Sequence, residues 1–240
     1  MNGNRTHAFI PGVLMVFVGG AYAGCAASHP ESTPTPQAAT HAQERKEASS
    51  AEAIRDLKEG NARFVSGQLQ HPRQNPERRA ELSRDQDPIA VILGCADSRT
   101  SPEVVFDQGL GDLFVVREAG NVVGDHSLGS IEYGVEHLHT ALVVVMGHKR
   151  CGAVAAARAT LAAKSHAEGH IDSIVAGMRP AVEATAGQDA EATCKAHVRN
   201  VVQALRTSEP LLRHLVDGGH VKIVGAYYDL ETGAVKFLDE

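Results

Sequence analysis

The sequence predicts an α/β fold, a central and mainly parallel β-sheet flanked by helices. Four short apolar runs, Ile89–Leu93, Leu113–Val116, Leu142–Met146 and Val221–Ala226, are rich in Val, Ile and Leu and bounded by Gly or by charge. Continuous runs of that length fit strands buried on both faces. Helical periodicity fills the intervals, over Leu128–Leu138, Ala153–Ala163, Ile171–Ala186, Glu191–Leu205 and Pro210–Val216. Strands that alternate with helices favour parallel pairing, because each crossover returns the chain to the same sheet edge. With 240 residues, 43% of them hydrophobic, the chain has enough apolar surface for one well-buried domain.

Residues 1–24 read as a signal peptide. Arg5 supplies a positive start, and the apolar run Ala8–Val18 follows, broken by Pro11 and Gly12. That run is shorter than the ~20 residues of a membrane-spanning helix. Two processing readings stay open at Ala21-Tyr22-Ala23-Gly24-Cys25. Ala21 and Ala23 suit an ordinary signal peptidase, whereas Ala23-Gly24-Cys25 resembles a bacterial lipobox that lipidates Cys25. Residues 25–50 are rich in Ser, Thr, Pro, Gln and Ala and form a flexible tether. The expectation is an exported, periplasmic protein, with Cys25 as an attachment point to a bacterial membrane.

The folded domain is expected over residues 51–240. It opens with a loose helical pattern, Ala51–Val65, followed by a polar, Pro-containing stretch, Gly67–Pro88, with a short helix near Glu77–Ser83. Residues 71–85 are expected to form an arm reaching a partner subunit. After the fourth strand, Asp229-Leu230-Glu231-Thr232-Gly233 reads as a turn into a last short strand, Ala234–Leu238. The net charge of −6 and the lack of a basic block argue against nucleic acid as a partner. The four cysteines, Cys25, Cys95, Cys151 and Cys194, are too sparse for a disulfide scaffold.

The first strand ends in Gly94-Cys95-Ala96-Asp97-Ser98-Arg99 and the third in Gly147-His148-Lys149-Arg150-Cys151-Gly152. Both motifs leave carboxyl ends of parallel strands, where open α/β sheets bind ligands. Thiolate and imidazole suit zinc, and three protein ligands leave the fourth position open, as in a catalytic site. Water on such a zinc ionises near neutral pH and becomes a nucleophile. Asp97, beside Arg99, stays ionised and can orient that nucleophile through its proton. Cys194 falls in a helical segment and reads as a structural thiol. Of the 13 His residues, only His148 stands in a motif.

These residues resemble the β-class carbonic anhydrases. Cys-x-Asp-x-Arg with His-x-x-Cys is that family's signature, and the likeness extends over nearly all of residues 51–240. It includes Gly60-Asn61-Ala62-Arg63-Phe64, Phe106-Asp107, Gly111 to Arg117, Ala119-Gly120-Asn121, Ser130-Ile131-Glu132-Tyr133 and Gly225 to Leu230. The resemblance implies one Zn2+ per chain on Cys95, His148 and Cys151, a catalytic dyad of Asp97 and Arg99, and carbon dioxide and bicarbonate as substrates. It implies further that Gln86 hydrogen-bonds substrate, that Phe114 and Tyr133 line the apolar pocket, often across a dimer interface, and that Gly152 leaves room at the site. A homodimer or homotetramer is expected. One branch of the family carries an inhibitory bicarbonate site built on a Trp, an Arg and a Tyr. Here Ile92 holds the Trp position, although Arg117 is present, so the ungated branch with an open metal position is expected, the alternative being the family's closed form in which Asp97 itself ligates zinc at lower pH. Two other readings remain: hydrolysis of carbonyl sulfide or carbon disulfide on the same metal, and a non-catalytic, zinc-stabilised binding domain.

Overall fold

A computed structural model describes residues 49–239. Cys25, with the signal peptide and tether readings, lies outside the described residues. The first helix, α1 (Ser50–Ser66), starts on a capping box. The Ser49 backbone N–H donates to Glu52 Oε2 at 2.7 Å and the Glu52 N–H returns to Ser49 Oγ at 3.3 Å, which satisfies donors that a helix start leaves orphaned. Gly67, at φ 70, closes it in the left-handed region. Its inner face carries Ala53, Ile54, Leu57, Gly60 and Asn61. A Cβ at Gly60 would stand 1.8 Å from the Phe106 carbonyl oxygen, so only glycine lets the helix lie this close to the loop below.

The remaining elements are α2 (Pro76–Leu82), β1 (Ala90–Cys95), α3 (Pro102–Val105), β2 (Leu113–Glu118), a 3-10 turn (Ala119–Asn121), α4 (Asp125–Glu136), β3 (Leu142–His148), α5 (Gly152–Ala162), α6 (Ile171–Ala184), α7 (Ala190–Arg206), α8 (Leu211–Asp217), β4 (Lys222–Tyr228) and β5 (Val235–Leu238). The strands form one sheet in the order β2-β1-β3-β4-β5, parallel except for the final pair. The predicted class is therefore correct. The strands β1, β3 and β4 run two residues further than the apolar runs that announced them, because Gly94-Cys95, Gly147-His148 and Tyr227-Tyr228 remain in the ladder.

Alternation along the strands sorts side chains between two cores. Ile92, Val144 and Val224 stand in register on one face, under α1 and Phe106. Val91, Val143 and Ile223 stand in register on the other, against Ile131 of α4 and Val198, Val202 and Leu205 of α7. Each fully buried branched side chain contributes about 1.5–3 kcal/mol. Both faces being covered explains why the strands read as continuous apolar runs. The edge strand β2 departs from this, being only partly buried.

The expected partner-seeking arm is anchored on its own chain. Buried Asp107 accepts the backbone N–H groups of Gln70 and His71, both at 3.0 Å, and Arg63 Nε at 2.6 Å. Arg73 pairs with buried Asp112, and Arg78 Nε donates to the Leu110 carbonyl at 3.1 Å. Two buried carboxylates need such partners, and the arm's guanidinium and backbone donors supply them.

Asn61 ties three segments together. Its amide donates to the carbonyls of Val105 at 3.0 Å and Gly233 at 2.9 Å, while its oxygen accepts from Val235 N–H at 2.8 Å. Asn61→Ala leaves these groups without partners and should lower stability by about 2–3 kcal/mol. Denaturant unfolding measures this, and a loss under about 0.5 kcal/mol, the range of ordinary surface substitutions, would contradict the assignment.

Candidate metal centre

Parallel pairing of β1 with β3 sets their carboxyl ends side by side. Cys95 is the last residue of β1 and His148 the last of β3. Cys151 is the N-cap of α5, three residues after the last residue of the strand. One ligating atom from each of the three lies within 4.8 Å of the others, and all three residues are buried. Asp97 and Arg99, the predicted dyad, border the same cluster, with Asp97 Oδ2 3.9 Å from His148 Nε2.

The hydrogen bonds orient these atoms for a cation. His148 Nδ1 lies 2.9 Å from the Lys149 carbonyl, which only accepts, so Nδ1 carries the hydrogen. The Nε2 lone pair then faces the two sulfurs, buried and, among the described residues, without a hydrogen-bond partner. A buried lone pair left this way is costly unless something electrophilic occupies the space before it. Cys95 Sγ accepts the N–H groups of Gly120 at 3.2 Å and Asp97 at 3.4 Å. The Cys151 thiol, with those N–H groups and despite burial, pulls the Cys95 pKa down. The Cys95 sulfur and burial push the Cys151 pKa up, against the N–H groups of Val154 and Ala153 at the start of α5. The two shifts run in opposite directions because negative charge on both sulfurs at once is unfavourable in so small a buried space. Two sulfurs and one imidazole nitrogen form a donor set that fits a divalent ion of zinc-like preference, with a fourth position unfilled by protein.

Asp97 is gripped by Arg99. Arg99 Nε donates to Oδ1 at 2.9 Å, Nη2 to Oδ2 at 2.7 Å, and its backbone N–H to Oδ1 at 3.0 Å. These bonds hold the Asp97 carboxyl well below the usual carboxylate range. A lowered carboxylate pKa contributes stability that is present above the ordinary value of 3.8 and lost only as pH falls below it. Asp97 is therefore ionised at any pH where the fold operates.

The other expected site residues are placed elsewhere. Gly152 opens α5, next to the last ligand, and a Cβ there would meet nothing within 4 Å, so the glycine borders open space. Gln86 and Tyr133 line a separate open pocket with Arg79, Leu82, Leu110 and Leu138, and no metal-site residue lines it. Phe114 wedges between α4 and β1, its ring 6.1 Å from that of Tyr133. The expected substrate wall is thus not assembled beside the ligands within one chain. Gln86 precedes the amino end of β1, whereas the ligands sit at the carboxyl ends, and a six-residue strand spans about 17 Å at ~3.3 Å per residue.

Residues 90–235 match the carbonic anhydrase family. The chain belongs to the β-class carbonic anhydrases. It is 42% identical to carbonic anhydrase 2 of Mycobacterium tuberculosis over 190 residues, 78% of this chain and 92% of the relative. Identity to a carbonic anhydrase of Mycolicibacterium smegmatis is 44%, over 77% of this chain and 91% of that one. Among solved structures, a tetrameric β-carbonic anhydrase of Sordaria macrospora superposes with a TM-score of 0.62 at 24% identity, covering 69% of this chain and 88% of that one.

Sequence reasoning passed over Gly120, Thr100 and the working partner of Arg117. Gly120 adopts φ 65, and a Cβ there would lie 1.9 Å from Met178 Cε and 2.8 Å from Ala153 Cβ. A glycine two residues past the end of β2 was the available signal for this left-handed turn. Cys194, read as structural, is buried and donates to the His148 carbonyl at 3.5 Å, and burial pushes its thiol up to about 11.

Two outcomes test the centre. Cys151→Ser should abolish stoichiometric metal binding, and metal content equal to the parent's after dialysis would refute the ligand set. Metal uptake at pH 7 should release protons, because thiolate rather than thiol binds the ion. Calorimetry in buffers of different ionisation enthalpy counts them, and a count of zero would remove the thiols from the ligand set.

Proposed function

We propose that the protein catalyses reversible hydration of carbon dioxide to bicarbonate and a proton, with one zinc ion per chain on Cys95, His148 and Cys151. The observation that carries this reading is the pairing of an unpartnered buried Nε2 with an ionised carboxylate only 3.9 Å away. A purely structural metal site needs no such carboxylate at its border, and Asp97 is held there by three bonds from Arg99. Bound zinc would supply Lewis-acid activation of water near neutral pH.

The protein groups do the rest. Asp97, always ionised, accepts a hydrogen bond from a proton-bearing group at the open fourth position and rejects one that lacks a proton. Arg99 fixes the carboxylate plane, so its lone pairs point one way. Cys95 and Cys151 would hold the ion as thiolates, having given up their protons to solvent. Gln86 offers an amide for substrate oxygen, and Phe114 and Tyr133 offer apolar surface that excludes water. Since these three stand away from the ligands of their own chain, a second copy brings them to the site. This supports a homodimer, or a homotetramer of the kind known for the Sordaria macrospora relative. Export to the periplasm, with Cys25 as a lipid anchor, completes the proposal.

Stopped-flow carbon dioxide hydration by the zinc-loaded protein tests the reading directly. Asp97→Asn should retain zinc and lose ~10²-fold or more in kcat. Undiminished hydration by that variant removes Asp97 from the reaction. Turnover of carbonyl sulfide or carbon disulfide but not of carbon dioxide would replace the substrate.

A further inference from the structure

Asp97 stands close to the position a fourth metal donor would take, yet its carboxylate is turned to Arg99. The Arg99 bonds are only part of the restraint, because the Arg99 side chain is 53% exposed and solvent screens such pairs. Another part is on the main chain. Arg117, the penultimate residue of β2, donates from Nε to the Cys95 carbonyl at 2.9 Å and from Nη2 to the Asp97 carbonyl at 2.5 Å. One edge of one planar guanidinium thus spans the loop that joins the first metal ligand to the catalytic carboxylate. Thr100 Oγ1 lies 3.2 Å and 2.9 Å from the same two carbonyls. Thr100 N–H also donates to the Asp97 carbonyl at 3.1 Å, so Thr100 can serve both carbonyls with neutral bonds, and what Arg117 adds is a charged, two-pronged grip on the same two oxygens. The β2 strand adds a further tie, as Ala96 N–H donates to the Glu118 carbonyl at 3.0 Å.

We propose that Arg117 is a positioning residue that fixes the Cys95–Asp97 main chain and thereby holds the Asp97 carboxylate on Arg99 and away from the metal position. This rests on the proposed carbon dioxide hydration. The guanidinium fork is rigid and bidentate, whereas an ammonium is a single point, so lysine reproduces the grip only in part. Freed of the grip, the Asp97 carbonyl rotates, and the side chain one bond away reaches the open fourth position. The resemblance would place Arg117 in an inhibitory bicarbonate site. Here Ile92 offers that site only an apolar side chain buried in the core, and the Nε–Nη2 edge of Arg117 is committed to backbone carbonyls.

The test compares the parent, Arg117→Met and Arg117→Lys as full-length protein, each loaded with zinc for kinetics and with cobalt(II) for spectroscopy, with azide as the probe of the fourth position. Arg117→Met should bind one metal per chain and melt cooperatively, lose roughly 10–100-fold in kcat, and show a cobalt spectrum that no longer responds to azide because the Asp97 carboxylate fills the position. Arg117→Lys should lie between the two in kcat and azide response. Parent-like kcat and azide response in Arg117→Met overturn the proposal. So does a fall in melting temperature and metal content shared by both variants with the azide response intact, which marks a merely structural role. If the parent itself hydrates no carbon dioxide, the functional reading falls, and the azide response still decides whether Arg117 holds Asp97.

Discussion

Two sulfurs and an imidazole nitrogen brought within 4.8 Å of one another in a buried space repel unless a proton or a cation lies between them. Much of the local architecture serves to hold that arrangement. Parallel pairing of β1 and β3 aligns the carboxyl ends that carry Cys95 and His148, and the short turn into α5 returns Cys151 to the same point. Backbone N–H groups aimed at Cys95 Sγ from Gly120 and Asp97 lower the cost of negative charge on sulfur. The Lys149 carbonyl fixes the imidazole tautomer. All of these contacts depend on the sheet, because only the parallel register places three separate turns around one point.

The ends of the sheet divide the chemistry. At the carboxyl edge stand the metal donors and the Asp97–Arg99 pair. Toward the amino edge stand Gln86, Tyr133 and the arm that Asp107 and Asp112 anchor. Burying those two carboxylates is costly, and the bonds from Arg63, Arg73 and Arg78 offset the cost by fixing residues 70–79 to the loop at 107–112. The arm therefore shapes the surface on which Gln86 is displayed. A polar and apolar patch held this firmly, apart from its own metal donors, is suited to a second chain's site.

Much of this was legible in the sequence because buried strands and metal donors both leave side-chain signals. Continuous Val and Ile runs marked β1, β3 and β4, and the His148 and Cys151 spacing marked the donors. What escaped notice works through the backbone. The strands end two residues beyond their apolar runs because Gly94-Cys95 and Gly147-His148 stay hydrogen-bonded without extending those runs. Gly120 matters for the N–H it presents, and Thr100 for two carbonyls it caps, and no side-chain pattern encodes either. The ties that anchor the expected arm of residues 71–85 to its own chain were not legible, because polar sequence does not reveal that buried aspartates await it.

The same distinction explains why a matching signature does not by itself describe a site. Cys95, Asp97 and Arg99 would stand at identical spacing whether Asp97 faced Arg99 or the metal position. The choice depends on the carbonyl orientations of Cys95 and Asp97, which Arg117 and Thr100 bond from two sides. Those partners come from β2 and from the turn before α3, and the β1–β2 register that sets Arg117 opposite Gly94 brings the guanidinium within reach. A one-residue slip in that pairing would move Arg117 to the other face and release the loop. The state of the metal position is thus coupled to strand register at the edge of the sheet, through a main chain that no ligand motif records.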